Sequence, residues 1–356
     1  MRFLEVINGW INRYFSNEGA IYLVVLLVVG LLVLLLLGDV LAPVLAGLVL
    51  AFLLQGLVNQ LARWGVPAAA GVYVAFLLFL GGGVALALFL APLVWQQLKS
   101  LAVALPDLIG RLGEVARGLT ESFPEIVTEG QLTIWIDGAA GQLGNLSASA
   151  LQGLVTNVPS LVALLIYLVL VPISVFFFLK DGRRLRDWFR SLLPADRSLI
   201  DRVGDEMNLQ LANYVRGKFI EIFIVGSVTS VTFGLLGLNY SLLLGVLVGV
   251  SVLIPFVGAA VVTIPVLLVA IIQFGWSWDL AWVMGAYLII QALDGNVLVP
   301  LLFSEAVDLH PIAIIVAVLV FGGLWGVWGV FFAIPLATLV KAIYNAWPQE
   351  AAPAEP

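Results

Sequence analysis

The sequence predicts an all-α polytopic membrane protein of about eight hydrophobic helices, some broken or re-entrant, with an amphipathic helical insertion outside the cytoplasm. Three observations carry this. Apolar residues make up 62% of the 356 and charged residues 11%, against a charged share of about 25% in soluble domains. Several apolar runs exceed the ~18 residues that mark a membrane-crossing helix. Prolines and glycines fall inside those runs, Pro255, Gly258 and Pro265 among them, and proline interrupts a regular helix.

Residues 1–19 place Phe3, Val6, Trp10, Ile11 and Tyr14 at helical spacing, the pattern of a short helix lying on the membrane surface. Ala20–Leu37 is the first span, longer than the apolar core of about 7–15 residues in a signal peptide, and so is read as uncleaved. Gly38-Asp39 is expected to turn the chain, with Val40–Leu61 returning as the second span. Ala69–Val94 is the third, and Gly81-Gly82-Gly83 at its middle suits close helix packing. These elements form a first region, 1–94.

Residues 95–159 are a polar insertion. Asp107, Glu114, Glu121, Glu125, Glu129 and Asp137 face only Lys99, Arg111 and Arg117 there. Leu98, Leu101, Leu105, Leu108, Leu112, Val115 and Leu119 repeat at heptad spacing, although Pro106 and three glycines argue against one continuous coiled coil. Amphipathic helices on the membrane, or a contact between subunits, fit this pattern.

The third region, 160–347, opens with the span Ser160–Leu179, which Pro172 is expected to break. Lys180, Arg183, Arg184, Arg186 and Arg190 follow, beside Leu185, Trp188, Phe189 and Leu192, as at a headgroup boundary. Asp196–Tyr214 reads as amphipathic and Phe219–Leu238 as the fifth span, with Arg216 and Glu221 pairing at the membrane edge. Ser241–Ile272 is either one broken span or a re-entrant hairpin. Ala281–Leu293 leads into Asp294, and a last helix runs from Pro311 to Ala346. The tail 348–356 reads as disordered. Nine of the sixteen Lys and Arg residues lie between 180 and 218, so the positive-inside rule makes that stretch cytoplasmic. Three crossings before an external insertion would then leave the N-terminus inside, and the C-terminus with it.

Several functions are excluded. There is no cysteine and one histidine, so neither a thiolate nor a histidine-rich metal site can form. No phosphate-binding GxxxxGK[ST] loop and no nucleophile motif occurs, so no catalytic residues and no cofactor are expected. The basic stretch belongs to a membrane face, and nucleic acid is not expected as a partner.

The chemistry concentrates near the C-terminus. Asp294 interrupts an apolar run, where a carboxylate is costly unless it faces a cavity or a partner. Asn296 adds an amide, and Pro300 is expected to break the segment and free backbone carbonyls for a polar path. Glu305, Asp308 and His310 are either a proton-sensing cluster or the start of a helix with Pro311 at its first position. Gly322, Gly323, Gly326 and Gly329 favour tight packing, or else a hinge or an unwound pore lining. With Pro255, these residues except Gly329 form the candidate pathway.

The segments PISVFFFLKDG (172–182), SLLLGVLVGVSVLIPFVGA (241–259), DGNVLVPLLFSEAVDLHP (294–311) and FGGLWGVWGVFFAIPL (321–336) resemble the AI-2E family of bacterial membrane proteins. The likeness extends over nearly the whole chain. It implies a multi-pass protein of the bacterial cytoplasmic membrane that forms homo-oligomers, with an extracytoplasmic insertion between its third and fourth spans. It also implies that Asp294, Asn296 and Pro300 occupy the family's DGNxLxP positions and Leu309-His310-Pro311 its LHP positions. Family members are described as exporters of autoinducer-2 or as sodium(lithium)/proton antiporters. Three functions stay open: export of a small polar solute, exchange of a monovalent cation for protons, and a non-transporting scaffold in the lipid bilayer.

Overall fold

A computed structural model of the chain describes residues 18–104, 158–194, 197–303 and 309–346. The surface helix at 1–19 (save its last two residues), most of the 95–159 insertion, Glu305, Asp308 and the tail 348–356 lie outside them. The described residues form nine helices and no strand: α1 (Glu18–Arg63), α2 (Ala68–Ala104), α3 (Val158–Ser191), α4 (Ser198–Leu235), α5 (Ser241–Ser251), α6 (Val257–Phe274), α7 (Trp278–Phe303), α8 (Pro311–Phe331) and α9 (Ala333–Ala346). By length and composition all but α5 and α9 could cross a membrane, α8 counting its 21 residues across the kink described below. The chain is a multi-pass membrane protein.

Several expected breaks are absent. α1 is one helix of 46 residues running through Gly38-Asp39, so the expected turn there is corrected. Gly38 is a notch instead: a Cβ on it would collide with the Trp325 indole. Pro43 sits inside the helix, and the carbonyl it leaves without a donor belongs to exposed Asp39, four residues earlier. Among the described residues two helices therefore precede the insertion where three crossings were expected, which removes the parity argument for a cytoplasmic N-terminus. α2 runs on to Ala104 through a π-helical turn at Leu86–Leu90, taking in the first ten residues assigned to the insertion. Gly81, Gly82 and Gly83 are exposed on α2, with open space beside each, so the expected packing does not occur among the described residues. Pro172 does not break α3. Close by, a Cβ on Gly47 of α1 would meet the Val171 carbonyl and Ser174, so that glycine lets the two helices touch.

The chain divides into two units, with junctions at 77/78, 166/167, 217/218 and 302/303. In the first, Leu23, Leu199, Ile200 and Val203 form a small core against Leu339 and Ile343. Tyr214 donates to the Phe331 carbonyl at 3.0 Å. α8 departs from helical geometry at Trp325 (φ −136°) and Gly326 (φ 58°, ψ −136°), and there the backbone folds back on itself. A Cβ on Gly329 would run into the Phe321 carbonyl, and one on Gly322 would lie 2.8 Å from Val330. The single last helix expected over Pro311–Ala346 is thus a reversal, and Gly322, Gly326 and Gly329 are the residues that allow it; Gly323 has open space beside it.

In the second unit α5 and α6 form a helical hairpin, so Ser241–Ile272 is two helices joined by a turn, of which α6, with 18 residues, is itself long and apolar enough to cross a membrane. Their far ends are tied together: Gln273 accepts from the Asn239 N–H at 2.7 Å and donates to the Gly237 carbonyl at 2.7 Å. With 11 residues, α5 is about 16 Å long, half the ~30 Å of hydrocarbon. Leu244, Val248, Val252, Val266, Val269, Val283 and Tyr287 make the apolar core. Glycine sets how closely α5 meets α4. A Cβ on Gly249 would approach the Ile222 carbonyl to 2.8 Å and the Gly226 Cα to 2.9 Å, the close approach that small residues four apart permit between membrane helices. Gly249→Ala should destabilise the protein by about 1–3 kcal/mol, the usual cost of overpacking, read as a lower thermal midpoint in detergent.

Candidate functional site

The second unit holds a charged cluster under the tip of the α5–α6 hairpin. Lys218 and Glu221 stand one turn apart on α4, 4% and 2% exposed. Lys218 Nζ lies 2.8 Å from Glu221 Oε2 and donates to the Val252 carbonyl at 2.9 Å. Val252 ends α5, so the ammonium sits at the negative end of that short helix, where a cation is favoured. The sequence reading set Glu221 against Arg216 at the membrane edge. That pairing is corrected: Lys218 takes Glu221, while Arg216 lies against Gly56 of α1.

Asp294 completes the cluster. It opens a π-helical turn, Asp294–Leu298, within α7, and the Val299 N–H reaches back to the Asp294 carbonyl. Such wide turns are frequent at functional sites. Asp294 lies within electrostatic reach of both Lys218 and Glu221. Its Oδ1 is buried without a hydrogen-bond partner, as is Nε2 of Gln291 one turn earlier. A buried polar atom left unmatched costs about 1–3 kcal/mol, so among the described residues these two atoms mark a strained polar spot beside the pair.

The hairpin tip is strained. The Val257 N–H bonds the Pro255 carbonyl at 2.7 Å around Phe256, whose φ is 63° and ψ −49°. This is the rare γ-turn, with a bulky residue where the left-handed side of the map favours glycine. Strain of this kind gathers at sites that bind or switch. Behind the tip, Tyr287 of α7 donates to the Ala259 carbonyl at 3.2 Å and meets Thr263 Oγ1 at 2.8 Å, fixing α6 to α7.

The other sequence-derived candidates disperse. Asn296 is exposed and turns its amide onto its own helix, donating to the Ala292 carbonyl at 2.8 Å. Pro300 does not end the segment: α7 continues to Phe303, the π turn absorbing the proline, which still leaves one carbonyl a turn earlier without its donor. His310 is the N-cap of α8, its Nδ1 accepting from the Ile312 N–H at 3.2 Å, with Pro311 at the first helical position. Gly322, Gly323 and Gly326 belong to the first unit. Of the predicted set, Asp294 and Pro255 are the members belonging to the hairpin-and-carboxylate region.

Sequence reasoning missed Lys218 and passed over Glu221. The run VRGKFIEIFIVG places a lysine and a glutamate three apart, one turn into an apolar stretch. That spacing makes them neighbours on one helix face.

Residues 20–349 match the family profile described as AI-2E family transporter. The chain is 44% identical over 345 residues to PerM of Escherichia coli (strain K12), provisionally named a permease, covering 97% of this chain and 98% of that one. It is 26% identical over 299 residues to YueF of Bacillus subtilis (strain 168), provisionally named a transport protein, covering 81% and 79% respectively. A second Bacillus subtilis relative named in the same way, YrrI, is 25% identical over 300 residues.

Proposed function

The chain belongs to the AI-2E family of transporters, and on that premise we propose that it is a gradient-driven secondary transporter exporting a small polar solute. The observation that carries the reading is the buried Lys218–Glu221 pair beside Asp294, closed over by a short, strained hairpin. Three ionisable groups inside apolar helices cost several kcal/mol each unless function retains them. Asp294 Oδ1 and Gln291 Nε2 offer an acceptor and a donor without partners, which suits a solute rich in hydroxyl groups. Autoinducer-2, named by the resemblance, has that chemistry and is the first solute to try. The reading carries no enzymatic step. It sets the protein in a bacterial cytoplasmic membrane, with the basic stretch 180–218 and the C-terminus inside.

The test is efflux from proteoliposomes loaded with autoinducer-2 under an imposed proton or sodium gradient. Asp294→Asn should reduce the rate at least tenfold, the loss expected when one charged hydrogen bond to the solute goes. Equal rates in the two proteins would sink the assignment of Asp294.

A second reading, exchange of sodium or lithium for protons, is favoured by charge counting. Glu221 and Asp294 together outnumber Lys218 by one negative charge, and a low-dielectric site calls for one further positive charge, a proton or a small cation. Internal pH followed on stepping external sodium or lithium, without solute, separates the two. A response that vanishes in Asp294→Asn would move the assignment to antiport.

A further inference from the structure

The charged cluster explains what surrounds Asp294 but leaves Lys218 with a second bond that neither transport reading requires. Its ammonium is divided between two elements: the Glu221 carboxylate on its own helix at 2.8 Å, and the Val252 carbonyl at the end of α5 at 2.9 Å. Val252 is also where regular helix stops. Beyond it come Leu253, Ile254 and the γ-turn at Phe256, and a Cβ on Gly258 would meet the Ser251 carbonyl. The tip is thus narrow, strained and tied at its root by one charged side chain.

We propose that Lys218 is a positioning residue that latches the 252–256 tip of the hairpin against α4, and that the negative charge of Glu221 holds the latch closed. An ammonium bonded to a carbonyl at a helix C-terminus is a strong, directional tether. Among the described residues, charged groups that reach it include Glu221 from α4 and Asp294 from α7. Neutralising Glu221, by a proton, a cation or a substitution, removes the carboxylate 2.8 Å from the ammonium that orients it toward the Val252 carbonyl. The opposite end of the hairpin is tied independently through Gln273 to Gly237 and Asn239, so release at Val252 frees the tip without undoing the base. The latch rests on the transport reading for its purpose, but its existence is testable without any transported solute.

The chain has no cysteine, so single-cysteine reporters are clean. Val252→Cys places a thiol at a site 8% exposed at the latch, and Val266→Cys places one at a fully buried site on α6. Both are reconstituted and treated with the membrane-permeant reagent N-ethylmaleimide. Adding Lys218→Met should accelerate labelling at 252 about tenfold or more, the loss expected for one charge-assisted hydrogen bond, and leave labelling at 266 unchanged. Lys218→Met/Glu221→Met, which removes the pair without stranding a buried charge, should do the same and serves where the single variant folds poorly. Rates at 252 within twofold of the unmodified background, in whichever of the two folds, would overturn the latch. Equal acceleration at 252 and 266 would overturn it too, since that is general loosening. Failure of solute efflux with the 252-specific acceleration intact would count against the transported solute and not against the latch.

Discussion

Lys218→Met alone is expected to cost about 3–5 kcal/mol of stability, the usual result of removing one partner from a buried ion pair. The Glu221 side chain is 2% exposed, so no water reaches the carboxylate to replace the lysine, and the Val252 carbonyl loses its donor as well. Replacing both with methionine should recover most of that loss, because two apolar side chains of similar volume pack without a stranded charge, and such exchanges are often neutral or stabilising. Denaturation midpoints of the wild type, the two single variants and the double variant make a thermodynamic cycle. A single variant as stable as wild type would mean that the pair is hydrated and that the site is not the low-dielectric cluster described above. The recovered double variant should also fail to transport. Stability regained with activity lost is the signature of charges kept for function.

How much of this site could be read in the chain depends on what kind of signal each residue left. Asp294 was legible because a carboxylate in an apolar run stands out against hydropathy alone. Lys218 and Glu221 were not, because they lie where the basic stretch gives way to the fifth span, and a hydropathy boundary assigns such charges to the headgroups by default. Lys218 finds a partner in the Val252 carbonyl, 34 residues away, and sequence spacing carries no trace of it. The membrane class, the long apolar segments and the family were legible from composition and the C-terminal motifs. The breaks were read less well. Gly38-Asp39 and Pro172 looked like stops because glycine and proline weaken isolated helices. In an apolar surrounding, helical hydrogen bonding is too valuable to give up for either. There the missing side chains of Gly38 and Gly47 admit Trp325 and Ser174, so these glycines are packing surfaces. The glycines of 322–329 were recognised as unusual, but whether they bend, reverse or merely pack depends on a single backbone angle at Gly326 that composition cannot express.

That angle sets the second large effect. At φ 58° and ψ −136°, Gly326 occupies a region closed to residues with a Cβ, and a β-branched side chain is the worst case. Gly326→Val should cost about 3 kcal/mol, the upper end for enforced backbone strain. The chain can escape the strain only by straightening α8. A straight helix would set residues 322 and 330 about 12 Å apart, whereas in the reversal a Cβ on Gly322 lies 2.8 Å from the Val330 side chain. Gly322→Cys with Val330→Cys should therefore form a disulfide under mild oxidation, since the two Cβ atoms fall within bonding reach, and adding Gly326→Val should abolish it. A cross-link that survived the valine would show that the turn is held by its neighbours. The stacked rings of Trp325 and Phe332, 6.0 Å apart, would then be the first place to look, because they join the turn to the segment that follows it. If the cross-link is lost, the glycine itself makes the fold-back, and the notch that Gly38 offers to Trp325 depends on it in turn.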